Sequence, residues 1–177
     1  MVELSVLVYL LAGFFAYVGY LRGWTKELIA LSGVILSLFA LFEFDNLIRV
    51  TLFGELPPAQ VFYVQTTIFI VIVFFAYQTR ALNERAGRRG ENREEAQSRV
   101  LGAIVGATNG YLIGGTIWYF MDISNYPLAP QVIAPRAGFS SASMIDNLPL
   151  YMLTSGGEGT LLSLLVVVLF VIVLVLI

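Results

Sequence analysis

The chain contains no cysteine and no histidine. Without cysteine there are no disulfides, thiolate nucleophiles, zinc ribbons or Cys-ligated clusters. Without histidine the commonest general base and the commonest metal and haem ligand are both missing. Charge is scarce too: Asp, Glu, Lys and Arg make up 12% of 177 residues, against about 25% in soluble domains. Lys26 is the single lysine, and the net charge is −2. With no basic excess, no nucleic acid is expected as a partner.

Apolar residues fill the space that charge leaves. They form 58% of the chain, and the mean hydropathy is +0.83. A water-soluble fold of this length could not bury that much apolar surface. The composition therefore predicts an all-α, polytopic integral membrane protein, and multi-pass residence in a membrane.

Five apolar runs stand out, at residues 4–21, 28–44, 60–79, 100–120 and 160–177. At 1.5 Å per residue, 18 to 21 residues reach about 27–32 Å, enough for a hydrocarbon core of about 30 Å. The run 28–44 is the shortest. It either crosses with snorkelling ends or is re-entrant, and its length favours crossing. The run 4–21 lacks a basic flank and an Ala-x-Ala cleavage pattern, so it is expected to be a retained helix rather than a signal peptide.

Lys and Arg orient the runs. With the N-terminus outside, the inner segments carry Arg22, Lys26, Arg80, Arg85, Arg88, Arg89, Arg93 and Arg99, and the outer ones carry only Arg49 and Arg136. Eight against two predicts five transmembrane helices, N-terminus outside and C-terminus inside. The charged inner loop 80–99 has i,i+4 pairs Glu84–Arg88 and Glu95–Arg99, so helical extensions are expected on either side of Gly87 and Gly90. The outer segment 121–159 is rich in Pro and Ser. Within it, residues 144–153 are apolar enough to lie on the membrane surface, and residues 155–159 read as a flexible hinge.

The strongest local pattern lies in the fourth run. Gly102, Gly106, Gly110 and Gly114 recur every four residues and form a smooth strip on one helix face. In lipid, helices pair through close packing, and small residues permit it. Ala12, Ala16, Gly19 and Gly23 make a matching strip in the first run. The two strips are expected to face each other; the alternative is a seam to a second copy or a foreign subunit. Gln65, Thr66, Thr67, Thr108 and Asn109 are polar groups within spans, expected to bond between helices. Glu3, Glu27, Glu43 and Asp45 fall near the run ends, so no ionisable group is expected at mid-span. A transporter or proton relay usually needs one. The last run is nearly all Leu, Val, Ile and Phe, and reads as a lipid-facing anchor.

No catalytic, cofactor-binding or metal-binding residues are expected. The outer segment has serines and Asp122, Asp146 and Glu158, but a serine–lysine mechanism would need Lys26, which falls on the opposite side. The chain is read as a non-enzyme with no cofactor and no soluble small-molecule substrate.

Glu3, then Gly19, Arg22, Gly23, Trp24 and Glu27 after the first apolar run, and Arg99, Leu101, Gly102, Ala103, Gly106 and Gly110 later, form two motifs. On these motifs the chain resembles the colicin V production (CvpA) family of small bacterial inner-membrane proteins. The likeness covers about residues 1–120 and extends more weakly to 150, through the Ser- and Pro-containing stretch 140–150. Three departures are visible: the family commonly has Asp where this chain has Glu3, its usual pattern has four spans, so 160–177 is an addition, and the charged 80–99 loop is long. The resemblance implies a bacterial cytoplasmic (inner) membrane, a link to colicin export and membrane homeostasis, and no established catalytic residues. Three organisational parts follow: a four-helix core 1–120, the outer loop 121–159 and an additional helix 160–177.

Arg22 and Glu27, spaced around the Gly23-Trp24 turn, are expected to brace the inner ends of the first two spans as a structural salt bridge. Membrane lipids and other membrane protein subunits are the partners this reading implies. The functional alternatives are an accessory subunit of a respiratory or photosynthetic complex and, less favoured, a channel or transporter.

Overall fold

The computed structural model describes residues 3–45, 56–78, 92–136, 138–154 and 159–176. Every regular element among them is helical: α1 (Leu4–Arg22), α2 (Trp24–Glu43), α3 (Pro58–Gln78), α4 (Asn92–Ile123), α5 (Ser140–Met144), α6 (Pro149–Leu153) and α7 (Thr160–Leu176), with one 3-10 turn at Ile145–Asn147. Helix is the expected form for such apolar runs, because each backbone group then finds its partner within its own segment. α1, α2, α3 and α4 are long and apolar enough to cross a membrane, while α7 has 17 residues and is shorter.

Gly23 alone separates α1 from α2. It holds φ +80°, and its N–H donates to the Gly19 carbonyl at 2.9 Å. A side chain is strained at that φ, so the hairpin is written in the sequence by this one residue. The abrupt turn lets α2 begin at Trp24, four residues before the apolar run suggests. At 20 residues, α2 reaches about 30 Å. Of the two alternatives for the second run, this length fits the favoured one, a helix long enough to cross, and the polar Lys26 and Glu27 are part of the helix rather than of a loop. Pro58 opens α3, where its missing N–H costs nothing. α4 starts eight residues before its apolar run. The expected Glu95–Arg99 pair lies on this extension, at 2.6 Å. Glu84, Gly87, Arg88, Gly90 and residues 155–158 lie outside the described residues.

α4 is the axis of the bundle. α1 runs antiparallel along it, α2 packs on its other side, and α3 and α7 pack against α2. Leu38, Phe69, Trp118, Phe120, Leu148 and Leu162 are fully enclosed. The outward faces are apolar as well, with Leu10, Phe14, Tyr17 and Leu21 of α1 and Phe74 and Phe75 of α3 exposed. That is the surface of a bundle whose solvent is lipid.

The stretch 144–153, apolar enough in sequence to lie on the membrane surface, folds onto the end of the bundle, where Met144, Leu148 and Leu150 join the core. The Pro149 ring sits against Gly115 of α4, and the indole of Trp118 donates to the Tyr126 hydroxyl at 3.2 Å. Tyr126 and Tyr151 both donate to Asp122, at 2.9 and 3.0 Å. One carboxylate thus holds the α4 end, the following turn and α6 together. Burial, reinforced by Asp122, pushes the Tyr151 phenol up to about 12.

Candidate functional site

The α1–α4 seam shows what the glycines do. A Cβ added to Gly102 would meet the Gly19 carbonyl, one on Gly106 the Phe15 carbonyl, and one on Gly110 would lie 2.6 Å from the Leu11 carbonyl oxygen and 2.8 Å from Ala12 Cα. A Cβ on Gly19 would in turn meet the Gly102 carbonyl. Gly114 closes the row against Val8 and Leu11 more loosely, at 3.1 Å or more. The expected strips thus face each other within the chain, backbone against backbone. Ala16 is half-buried beside them. Gly13, by contrast, has nothing within 4 Å of where its Cβ would be.

The α1–α2 turn lies against Ser98 and Gly102 of α4, and one turn further along α2 the structure adds to the sequence reading. Glu27 is wholly buried, and its carboxylate lies beside Asn109 of α4. It is in the first turn of α2, near a span end as expected; its complete burial is what sequence position did not show.

Three other helices converge on this carboxylate. From the end of α1, Arg22 Nη1 donates to Glu27 Oε1 at 2.6 Å. Arg22 Nη2 donates to the Tyr77 carbonyl at 3.2 Å, and the guanidinium stacks 4.7 Å from the Tyr77 ring centre. From α3, the Tyr77 hydroxyl donates to Glu27 Oε2 at 3.2 Å. From α4, Asn109 Nδ2 donates to Glu27 Oε2 at 2.9 Å and to the Glu27 carbonyl at 3.2 Å. Phe15 of α1 covers the cluster edge-on to Tyr77, with ring centres 5.4 Å apart. Arg22 keeps a side-chain exposure of 20% while Glu27 has none. The arginine stem therefore reaches inward from the helix end and carries its charge to the carboxylate.

Both Glu27 oxygens are engaged, and by one cation and two neutral donors. A carboxylate held in this way is fixed in place, with a charge-assisted bond on one oxygen and neutral donors on the other. Asn109 Oδ1 is buried without a hydrogen-bond partner, as are the hydroxyls of Thr66, Thr116 and Ser124. Of the polar residues foreseen within the spans, Asn109 bonds to Glu27 and Gln65 donates to Asp45 at 2.8 Å. Thr108 turns back to its own helix at Ile104. Trp24, the third member of the turn motif, is 38% exposed. Among the described residues, no cluster of acidic side chains could hold a metal ion.

Tyr77 was not foreseen as a site residue, and no local signal marks it, because one tyrosine at the end of an apolar run is ordinary. Asn109 carried a signal that could have been read further: it adjoins Gly110, so it must face a neighbouring helix at close range.

The motif residues Arg22, Gly23 and Glu27 and the glycine row thus occupy one contiguous region. The model of the family described as colicin V production protein matches residues 4–145. The chain belongs to the colicin V production family. The matched residues include α1–α5 and end where the 3-10 turn begins, so α6 and α7 lie beyond the part this family defines. Searches of curated proteins and of solved structures return no match.

Proposed function

We propose that this member of the colicin V production family is a non-enzymatic protein of the bacterial cytoplasmic membrane. In this reading its rigid helical core presents protein-binding surfaces in export or membrane homeostasis. The carrying observation is that Glu27, the buried acid of the bundle, is spent on the bundle itself, tied to Arg22, Tyr77 and Asn109. An intramembrane ionisable residue is by default a functional candidate, and here its function is to fix four helices in one arrangement. The reading includes five crossings, with the N-terminus outside and the basic ends of α1 and α4 inside, on the Lys and Arg asymmetry.

An accessory-subunit role in a larger energy-transducing complex is the second reading, and α7 favours it. This helix lies outside the residues that define the family. Beyond Leu162 and Leu169, it leaves Leu164, Val167, Phe170, Val171 and Leu174 exposed. A channel or transporter is disfavoured by the same fully engaged carboxylate.

Extraction from the native membrane in mild detergent, followed by a native gel and mass spectrometry, tests these readings. Partners that exchange, or are recovered only after cross-linking, fit the export or homeostasis role. Fixed-stoichiometry partners lost on deleting 160–177 would replace it with the subunit reading. Migration alone under every condition, cross-linking included, would defeat both.

A further inference from the structure

At the far end of α1 from Arg22, a cavity of about 160 Å³ opens between the start of α1 and the segment 133–141. Its lining includes Glu3, Leu4, Ile133, Arg136, Phe139 and Ser141. Glu3 is positioned with care. Its Oε2 accepts from the hydroxyls of Ser140 at 2.6 Å, Ser141 at 3.2 Å and Ser5 at 3.3 Å. Ser5 and Ser141 are themselves buried and 3.0 Å apart. These bonds, Ser140 foremost, hold the Glu3 carboxyl below its usual range, so it is ionised at neutral pH. The Ser141 backbone N–H adds to the bonds on this carboxylate, and all of these donors are neutral. Among the described residues, Glu3 and Arg136, both on the cavity wall, take part in no ion pair. One fixed anion held by neutral donors and one cation thus share a single cavity.

We infer that this cavity binds the headgroup of an aminophospholipid, with its primary ammonium on the Glu3 carboxylate and its phosphate on Arg136. The charges select the ligand. A purely anionic headgroup would satisfy Arg136 but would be repelled by Glu3. A quaternary ammonium has no N–H to donate to a carboxylate oxygen, whereas a primary ammonium has three. Guanidinium is the natural partner of phosphate. Size agrees, since drug-sized ligands take about 300–1,000 Å³ and this cavity suits a headgroup fragment. Position selects the lipid over a free zwitterion. Glu3 immediately precedes the first turn of a membrane-length helix, at the headgroup level, and the exposed Phe139 and the Leu4 and Ile133 walls offer contact to the acyl body. The inference goes beyond the proposed export role and needs only that α1 ends at a membrane surface.

The test is lipid retention by native mass spectrometry. Full-length protein is equilibrated in nanodiscs containing equal parts of phosphatidylethanolamine, phosphatidylglycerol and phosphatidylcholine, then released and its bound lipid counted. Phosphatidylethanolamine should be retained over both others by about tenfold to a hundredfold, the worth of one charged hydrogen bond. Glu3→Gln should remove that preference, and Arg136→Gln should lower retention of all three lipids, since each carries a phosphate. Arg136 is exposed, so Arg136→Gln keeps the test valid if Glu3→Gln folds poorly. Equal retention of the three lipids by wild type, or retention unchanged in Arg136→Gln, would overturn the site. Soluble O-phosphoethanolamine that binds and displaces no lipid would overturn its assignment to a membrane lipid.

Discussion

Removing the Glu27 carboxylate leaves Arg22, already four-fifths buried, facing the bundle with no counter-charge. Tyr77 Oη loses its acceptor at the same time, and Asn109 Nδ2 keeps only the backbone carbonyl of residue 27. Breaking a buried ion pair from one side typically costs about 3–5 kcal/mol. For a chain of this length each kcal/mol is worth about 2–4 °C in melting temperature. Glu27→Ala should therefore melt about 6–20 °C below wild type. Glu27→Gln keeps an acceptor oxygen for Tyr77 or Asn109 and loses the charge-assisted bond alone, worth about 1.5–3 kcal/mol. Its melting point should fall between the two. The double variant Arg22→Met, Glu27→Leu replaces the pair with apolar groups of similar bulk, and such exchanges are often neutral or stabilising. It should recover most of the Glu27→Ala loss. The assay is thermal unfolding of detergent-purified protein, followed by size-exclusion recovery and by helix content. A Glu27→Ala protein that melts within about 2 °C of wild type would refute the lock. A double variant no better than Glu27→Ala would refute it as well, because the loss would then come from something other than the stranded charge.

The seam makes a sharper contrast between two glycines of the same helix pair. Gly106→Ala drives a methyl into the Phe15 carbonyl and should cost about 1–3 kcal/mol, whereas Gly13→Ala meets open space and should melt at or slightly above wild type. The Glu3 carboxyl titrates below its usual range in the folded state, so its contribution is present above the ordinary carboxylate value and is lost as pH falls through the depressed one. Melting of wild type should therefore drop over that acidic window more than melting of Glu3→Gln does; equal pH profiles would show that the serine cradle contributes nothing. Asp122→Ala removes the acceptor shared by Tyr126 and Tyr151, and should raise amide hydrogen exchange across 145–153 while leaving α1 protected. Glu95→Gln breaks a pair that is exposed on both sides and should leave the melting temperature unchanged.

What the sequence carried, and what it did not, follows from the range of each signal. Apolar runs are local, and they announced α1, α2, α3 and α7 within about four residues and α4 without its charged eight-residue extension. The glycine row and the small residues of α1 were readable as a close pair, because in lipid such strips have few other uses. Arg22 and Glu27 were readable as partners across the Gly23 turn. The burial of Glu27 was not, because it depends on the stagger between α2 and α4. That stagger depends in turn on how Gly102 and Gly106 of α4 seat against α1, a third helix. Tyr77 was invisible for the same reason. The packing of the end cap 144–153 was not readable either, because its apolar residues suit a membrane surface as well as a bundle end. What decides is the Pro149–Gly115 contact and the Asp122 bonds to Tyr126 and Tyr151, all set by tertiary placement.

The central claim is that the buried charge at Glu27 holds helices and does not move ions. The most direct measurement reconstitutes the purified protein into liposomes loaded with a pH-sensitive dye and imposes a proton gradient and a membrane potential in turn. The account predicts dissipation no faster than in protein-free liposomes, for wild type and Glu27→Gln alike. A flux in wild type that disappears in Glu27→Gln, with both proteins folded by helix content, would contradict it and make the cluster a conduction site.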